Sequence, residues 1–401
     1  MTSLLRTFIG ARLAQARRAR GLTAVSLAEL VEVSSSTISQ LEHGKQTPRP
    51  DLFDRLSQTL RVPPAFFFQP VIALEVERAT KWRSNTTATK FARDRAEIRY
   101  DWLREIAVYL EEYLEFPDID FPKIDLPTDF REITAENIDQ AAAACRDYWG
   151  IAGGPAPNIV MLLESKGCIV TRGPLHAEGL DAFSEWLPGE RPYVFLGSDI
   201  GVGVRSRFDA SHELGHLILH PSVSKKQFGK PEDFKILERQ AHRFAAAFLM
   251  PRDDYFKELW APTLDAFEAL KPRWKTSIKG MIVHSHRHGA LTDTQYQRAM
   301  IQYNRRWRGG EPHDNLVLPE QPKFLARCME MLIDEKIKTR DQILLDLPFA
   351  SSDLEELTGL PKGYLLGRDA EVVNFPSPMP KDIRQNRISG RVVSVDFGKR
   401  T

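Results

Sequence analysis

The sequence predicts an α+β protein that is mostly helical, with an all-helical N-terminal domain, a central domain containing a small sheet, and a small helical C-terminal domain. Apolar residues recur at helical spacing through most of the 401 residues. Between residues 159 and 197, short apolar runs separated by turn residues are instead typical of strands. Turn-rich and proline-rich stretches divide the chain. They set the predicted bounds of the N-terminal domain, a helical linker, the central domain and the C-terminal domain at 1–70, 71–128, 129–310 and 311–401.

The composition is that of an ordinary water-soluble protein. Charged residues make up 27% of the chain and hydrophobic residues 42%, and the formal net charge is +1. No apolar run approaches the length of a membrane span, and the N-terminus lacks a signal-peptide pattern because its basic residues follow its apolar ones. Three isolated cysteines, Cys145, Cys168 and Cys328, argue against a disulfide framework. We therefore expect a cytoplasmic protein with no membrane partner.

Residues up to about Gln69 predict a compact helical module. The apolar residues that mark its first three helices are Ile9, Leu13 and Ala16, then Leu27, Leu30 and Val31, then Ile38 and Leu41. Thr23 and Ser34 are suited to cap the second and third helices, and Gly21 and Gly44 are suited to follow the first and third.

The outer face of the third helix carries small polar side chains, namely Ser35, Ser36, Thr37 and Gln40. A helix, a short turn and a second helix that begins with such residues form the helix-turn-helix pattern, which predicts binding to a double-stranded DNA operator. Lys45 and Arg49 follow as candidate DNA contacts. Residues 1–50 hold seven basic residues against three acidic ones, an excess that favours phosphates. The alternative is a helical protein–protein module with a solvated basic face.

The stretch ISQLEHGK followed by P-x-P is similar to the phage-repressor class of regulators, the XRE family. The resemblance implies that Ser35, Ser36 and Gln40 reach base edges. It also implies a structural ion pair between Arg17 and Glu42. The family usually has Gln where this chain has Ala24, so one contact to DNA is expected to be missing.

Residues 75–116 predict a long amphipathic helix that packs between domains or subunits. Its apolar stripe consists of Ile98, Trp102, Leu103, Ile106, Tyr109, Leu110 and Tyr113. Three prolines within residues 116–127 then end any helix.

The central region begins with a predicted helix at Asn137–Trp149. The runs IVMLLESKGCIVTR, FSEW and RPYVFLGS predict short strands. We expect Tyr193–Leu196 to be either an edge strand, on which an extended peptide could lie, or a buried strand of the core.

The stretch RSRFDASHELGHLILH, residues 205–220, contains His212 and His216 four residues apart. The apolar residues Ala210, Leu214, Leu217 and Ile218 predict a helix, and on a helix both imidazoles leave the same face and can share a metal ion. Glu213 can then take a proton from a metal-bound water without being a ligand. Imidazole suits zinc, and a catalytic zinc ion keeps three protein ligands and an open position.

The third ligand is expected on the helix predicted between Phe234 and Pro251. Its buried stripe consists of Leu237, Ala241, Phe244, Ala245 and Phe248. Glu238 is the only carboxylate inside that helix, so we predict a zinc site of His212, His216 and Glu238. His220 and His242 are interpreted as polar edge residues. The alternative is that the HExxH pattern arose by chance on a surface helix.

HELGHLILH followed by ERQAHRFAAAFLMP resembles the ImmA/IrrE family of zinc metallopeptidases, which implies a zincin-like fold. The resemblance implies that His212, His216 and Glu238 bind zinc and that Glu213 is the catalytic base. The family often has Glu-Ala-Asn or Glu-Ala-Asp where this chain has Gln-Ala-His, which makes His242 a rival ligand.

The remaining chain carries weaker signals. His284 and His288 could pair on a helix as a second metal site, although a basic patch exposed to solvent or nucleic acid is the alternative. The C-terminal domain is predicted to be helical, with a stripe of Phe324, Cys328, Met331 and Leu332.

Taken with the two resemblances, these patterns favour a DNA-binding transcriptional regulator that carries a zinc metalloendopeptidase and cleaves a repressor or itself. The expected partners are an operator, a peptide or repressor substrate, and a second copy in a homodimer. One alternative is a ligand-sensing transcription factor that uses the peptidase-like cleft as a receptor pocket. The other is an antitoxin-like regulator whose main partner is a protein.

Overall fold

The computed structural model describes residues 7–71, 81–82, 90–175, 181–199, 201–223 and 225–367, with the backbone alone at 81–82, 90–93 and 225–226. Its described part confirms the α+β, mostly helical fold class. The N-terminal module consists of four helices: α1 (Gly10–Ala19), α2 (Ala24–Leu30), α3 (Ser35–Glu42) and α4 (Pro50–Leu60). A 3-10 turn at Pro64–Phe68 closes it.

Side-chain caps start the short helices of this module. The backbone N–H of Ser26 donates to Thr23 Oγ1 at 2.8 Å, and that of Thr37 donates to Ser34 Oγ at 3.1 Å. Each cap satisfies a backbone donor that the first turn leaves unpaired. Both predicted caps are therefore confirmed.

The linker helix α5 spans Lys90–Glu111, so the predicted start of this helix lies outside the described residues. Its buried face meets the N-terminal module, with the Trp102 ring 5.6 Å from that of Phe66. Trp102 also lies 5.3 Å from Phe349, whose ring is 5.8 Å from that of Phe66, so the three rings form one cluster. The predicted stripe ends early because Tyr113 is 37% exposed. Packing between two helical regions, as predicted, is the role of this helix.

The central region contains a four-stranded sheet in the order β1-β3-β4-β2. The strands are β1 (Lys81–Trp82), β2 (Ile169–Gly173), β3 (Ala182–Trp186) and β4 (Pro192–Gly197). Strand β3 runs antiparallel to β1 and β4, whereas β2 runs parallel to β4. Helix α6 (Ala135–Tyr148), which was predicted, and helix α7 (Ile159–Ser165) precede β2.

Helix α7 corrects the prediction of a strand at the start of IVMLLESKGCIVTR. Asn158 caps it, because its Oδ1 accepts from the backbone N–H of Met161 at 2.8 Å. Gly167, with φ of +80°, follows its end and lets the chain turn into β2. A short apolar run does not distinguish a buried helical turn from a strand, and here the cap decides.

Helix α8 (Gly203–Leu219) packs on the sheet, and α10 (Pro231–Leu249) packs on α8 and α6. The short α9 (Lys225–Phe228) lies between α8 and α10 in the chain. Both predicted apolar stripes are buried, including Leu214 and Leu217 on α8 and Leu237 and Phe244 on α10. The two helices share one core with α6 and α7. This core fixes the relative position of the faces that carry the histidines and Glu238.

The remaining helices extend this core and then return to the N-terminal module. They are α11 (Arg252–Glu258), α12 (Leu264–Trp274), α13 (Ile278–Arg287), α14 (Asp293–Arg306), α15 (Phe324–Asp334), α16 (Arg340–Asp346) and α17 (Ser351–Thr358). Met331 is 50% exposed, so the predicted stripe on α15 is wrong at that position.

Helices α15 to α17 share a hydrophobic core with α5 and the N-terminal module. Arg20 on α1 forms a two-pronged ion pair with Asp353 on α17, at 2.9 and 2.7 Å. The Thr171 hydroxyl of β2 donates to the Leu357 carbonyl of α17 at 2.7 Å. Helix α17 therefore touches both the N-terminal module and the sheet. The predicted domain bounds remain a prediction. Within the described parts of the chain, no helix is both long and apolar enough to cross a membrane.

Candidate metal centre and nucleic-acid interface

Helices α8 and α10 bring three of the predicted side chains together. The Nε2 atoms of His212 and His216 lie 3.1 Å apart, and His216 Nε2 lies 3.1 Å from Glu238 Oε1. His212 Nε2 lies 3.5 Å from Glu238 Oε2. Ligands about 2.0–2.1 Å from a tetrahedral zinc ion lie roughly 3.3 Å apart, so these separations fit such an ion.

The surroundings of these groups keep the His212 imidazole neutral and the Glu238 carboxyl group ionised. Both histidines are buried, at 0% and 2% exposure. Burial lowers the pKa of His212 well below 6.5, which keeps the imidazole neutral at pH 7. Burial alone would raise the pKa of Glu238, but hydrogen bonds with His212 and His216 lower it overall. A carboxylate and two imidazole nitrogens that converge in a dry site favour a cation between them.

His242 joins this cluster from α10. Together with His212 and Glu238 it offers ligand atoms that all lie within 4.8 Å of one another. His242 Nδ1 lies 2.8 Å from the Glu238 carbonyl oxygen, which can only accept, so Nδ1 carries the proton and Nε2 keeps its lone pair. His242 thus has the spacing to His212 and Glu238 that its alternative role as a rival ligand requires.

His220 was also interpreted as a polar edge residue, and this is wrong because it is fully buried. Its Nδ1 lies 3.0 Å from His216 Nδ1, and its Nε2 lies 2.8 Å from Gln240 Oε1. His220 therefore contacts the back of His216 rather than the converging atoms. The four-residue spacing of the three histidines on α8 could have revealed this contact, because it places them on one helix face.

Glu213 follows His212 on α8 and is 1% exposed. A buried carboxylate next to a metal-binding histidine is suited to accept a proton from an attacking water. The side-chain set thus has the residue types and spacing that three or four metal ligands and a neighbouring base would need.

Helix α3 presents most of its predicted DNA contacts to solvent. Ser35, Ser36 and Gln40 are exposed, whereas Thr37 is half-buried and its hydroxyl lies 2.9 Å from that of Ser34. Thr37 is thus the least available of the four predicted contacts on the helix. The other predicted contacts, Lys45 and Arg49, are exposed beyond the end of α3.

The ion pair between Arg17 and Glu42 is confirmed. Arg17 Nε lies 2.6 Å from Glu42 Oε1, and a second guanidinium nitrogen lies 2.9 Å from Oε2. The pair ties α1 to the end of α3. It holds the outer face of α3 in a fixed direction.

Comparison with known families agrees with both sites. Residues 9–65 match a family described as a helix-turn-helix domain, and residues 163–281 match a peptidase family described as the IrrE N-terminal-like domain. The chain joins a DNA-binding helix-turn-helix domain to an IrrE-like peptidase domain. The second match includes α8 and α10, which carry all the converging side chains.

One curated relative is an uncharacterized HTH-type transcriptional regulator, RghRB, from Bacillus subtilis strain 168. It is 46% identical over 55 residues, which is 14% of this chain and 40% of the relative. The match thus spans less than half of the relative's length.

Most of the basic side chains that were predicted to favour DNA phosphates instead form ion pairs within the protein. Arg12 pairs with Glu105 at 2.9 Å, and Arg18 lies 3.2 Å from Asp94, both on α5. Arg17 and Arg20 pair with carboxylates as described above, and Arg6 lies outside the described residues. Acids from later in the chain thus pair with Arg12, Arg18 and Arg20, which reduces the excess of basic charge that this module offers to phosphates. Only Lys45 and Arg49 of the seven basic residues are exposed without an ion pair in the described structure.

The IrrE-like domain does not use Tyr193–Leu196 as an edge strand. This segment belongs to β4, which is paired on both sides by β2 and β3. The buried-strand alternative is confirmed. A cavity of about 570 Å³ lies instead beside Phe208 and His242, next to the converging side chains.

The second histidine pair is not an exposed patch. His284 is 2% exposed, and its ring lies 4.5 Å from that of His288 and stacks on Phe256 at 5.9 Å. Burial lowers the pKa of His284 to about 3. Within the described residues the only group with metal-ligand spacing is the one that contains His212. The basic-patch interpretation is therefore wrong for His284, which is part of the core.

Proposed function

We propose that this chain is a transcriptional regulator whose IrrE-like domain is a zinc-dependent endopeptidase that cleaves a repressor protein. The observation that carries the proposal is the convergence of two buried imidazole nitrogens and one carboxylate at 3.1–3.5 Å. Such sets, with a carboxylate next to the first histidine, suit metal-assisted hydrolysis. The ligands we propose are His212, His216 and Glu238.

Zinc, when bound, supplies a Lewis acid that polarises the peptide carbonyl. Glu213 takes a proton from the attacking water, whose oxygen forms the new bond to the carbonyl carbon. The same carboxyl group then gives the proton to the leaving nitrogen as the peptide bond breaks. The cavity beside Phe208 and His242 is of a size to hold a substrate side chain next to this centre.

The DNA-binding part of the proposal rests on α3. We propose that Ser35, Ser36 and Gln40 read base edges in the major groove, while Lys45 and Arg49 contact phosphates. Because Thr37 is half-buried and its N–H is capped by Ser34, it would contribute through the backbone position rather than by reading a base. Domains of this pattern read paired half-sites, so we propose a homodimer on a two-fold operator.

A second candidate function follows from His242. If His212, His216, Glu238 and His242 all bind the ion, no position stays open, which is typical of structural zinc. The domain would then be a metal- or ligand-sensing module rather than a peptidase. The support for this candidate is the close group formed by His212, Glu238 and His242.

Zinc content and cleavage of purified variants separate the two candidates. Under the peptidase proposal, Glu238→Ala and His216→Ala lose stoichiometric zinc, while His242→Ala keeps zinc and cuts a candidate repressor. Under the closed-site candidate, His242→Ala weakens zinc binding about as much as Glu238→Ala does. Stoichiometric zinc in Glu238→Ala contradicts our ligand set.

A further inference from the structure

A chain of hydrogen bonds runs from the backbone to the back of His216. Gln240 Nε2 donates to the Phe130 carbonyl oxygen at 2.6 Å. Gln240 Oε1 lies 2.8 Å from His220 Nε2, and His220 Nδ1 lies 3.0 Å from His216 Nδ1. Gln240 and His220 are 6% and 0% exposed, so this series of hydrogen bonds is shielded from water.

The direction of every bond in this chain follows from its first member. A backbone carbonyl oxygen only accepts, so the Gln240 atom facing Phe130 is the amide nitrogen. The same nitrogen faces a second carbonyl oxygen, that of Ile133, at 3.4 Å, which supports the assignment. The other end of the amide is then the oxygen, which accepts from His220 Nε2–H. His220 Nδ1 therefore has a lone pair.

That lone pair accepts from His216 Nδ1–H, so Nε2 is the ring nitrogen that supplies a lone pair when His216 binds a metal ion. This is the atom that lies 3.1 Å from both His212 Nε2 and Glu238 Oε1. A metal ion needs this tautomer, because a protonated Nε2 offers no lone pair. The opposite tautomer of His216 would put two lone pairs, or two protons, face to face in a buried site.

We propose that His220 and Gln240 are positioning residues, which hold His216 in the tautomer and ring orientation that present Nε2 to the metal. The proposal rests on the metal-binding role of His216 proposed above. Its physical basis is that the non-ligating nitrogen of a metal-binding histidine is usually fixed by a second hydrogen bond. For His216 that bond is relayed through His220 and Gln240 to the backbone.

The other two histidines of the cluster are held differently. His242 Nδ1 donates directly to the Glu238 carbonyl oxygen within its own helix. His212 Nδ1 is buried and has no hydrogen-bond partner among the described residues. His216 is thus the histidine whose orientation depends on a separate element, the 3-10 turn at Phe130–Glu132. Displacement of this turn would therefore change the orientation of the His216 ring at the metal centre.

Two substitutions of His220 separate a hydrogen-bonding role from a space-filling one. His220→Asn can keep an acceptor near the position of Nδ1 but leaves a gap, whereas His220→Phe fills the space and offers no acceptor. The proposal predicts a loss of zinc affinity of about 10–100-fold for His220→Phe and a much smaller loss for His220→Asn. A space-filling role predicts the reverse order, which would overturn the proposal. Zinc affinity is measured by competition with a chromophoric chelator.

A second readout does not depend on zinc. In metal-free protein labelled with ¹⁵N-histidine, long-range ¹H–¹⁵N spectra report which ring nitrogen carries the proton. We expect a proton on His220 Nε2 and a proton on His216 Nδ1. The opposite tautomers would overturn the relay even if zinc binds. The expected tautomers in a wild-type protein that binds no zinc would support the relay and contradict the proposed peptidase.

Gln240→Met covers the case in which His220→Phe does not fold. Methionine keeps the length of the side chain but neither donates to Phe130 nor accepts from His220. We expect mixed tautomers of His220 and a several-fold weaker zinc affinity. Unchanged tautomers and affinity in Gln240→Met would show that the amide sets neither, which would overturn the proposal.

Discussion

Gly215 on α8 lies directly against Ala241 on α10. A Cβ atom at Gly215 would meet the Ala241 Cα and carbonyl oxygen, and the Phe244 Cβ, at 3.2 Å. The two helices approach this closely at the level of His212 and His216 on one side and Glu238 on the other. The absence of a side chain at Gly215 thus sets the spacing at which imidazoles and carboxylate converge.

Gly215→Val should therefore disturb both stability and metal binding. Overpacking of this kind costs about 1–3 kcal/mol, since the helices must move apart. We expect a lower unfolding midpoint in urea and a weaker zinc affinity. Gly309→Val is the control, because a Cβ at Gly309 meets nothing within 4 Å. Equal effects of the two substitutions would contradict the role of the close approach.

Glu213→Gln should keep stoichiometric zinc and abolish cleavage, because an amide does not accept the proton of the attacking water. Under the peptidase proposal, a repressor incubated with this variant stays whole and bound to its operator, whereas the wild type cuts and releases it. Release of DNA by the variant without fragments on a gel would favour the sensing alternative. Metal analysis and gel-shift assays on the same preparation measure both outcomes.

Self-cleavage within residues 116–127 is not favoured by the fold. Asp120 is tied to the IrrE-like domain, since its carboxylate lies 2.7 Å from Lys166 Nζ and its carbonyl accepts from Trp149 Nε1 at 2.8 Å. Phe121 packs against Trp186 at 5.1 Å. A cut in this segment would therefore have to break these contacts first. If fragments form, we expect mass spectrometry to locate the cut elsewhere or in a separate repressor.

Gln40→Ala should weaken binding to the preferred operator by about 1–3 kcal/mol and change binding to random duplex little, because Gln40 is exposed at the face of α3 that would read bases. Arg49→Ala should weaken both and reduce the salt dependence, because a phosphate contact carries no sequence information. Titrations of each variant with operator and with random duplex at several salt concentrations distinguish the two effects. Equal losses on both sequences for Gln40→Ala would remove it from the base-reading set.

The buried carboxyl group of Glu164 should make the free energy of unfolding depend on pH. Burial raises its pKa from 4.5 to about 7, although it accepts from the backbone N–H groups of Lys323 and Phe324. The folded protein thus holds a proton over a range in which the unfolded chain has lost it. The stabilisation from Glu164 is full below pH 4.5 and falls as the pH rises to about 7, by up to about 3 kcal/mol.

Glu164→Gln should remove this dependence, because the amide stays neutral while its oxygen can still accept. The measurement is urea unfolding of wild type and variant at pH 5 and pH 7.5. We expect the difference in unfolding free energy between the two proteins to shift in favour of the variant at the higher pH. A constant difference would contradict the raised pKa.

The sequence by itself determined the features that depend on near neighbours along the chain. Thr23 and Ser34 cap their helices because the donors they satisfy lie three residues away. The four-residue spacing of His212 and His216 likewise places both on one helix face. The pairing of these histidines with Glu238 was predicted because Glu238 is the only carboxylate between Phe234 and Pro251.

Only the tertiary structure decided which partners these local elements meet. Arg12 and Arg20 are basic residues on a helix surface, and nothing near them in sequence reveals Glu105 or Asp353. His220 is polar and ends α8, and its burial depends on Gln240 and on the turn at Phe130. Contacts of this kind join residues far apart in the chain. They depend on how helices and strands pack, which local hydrophobic spacing does not specify.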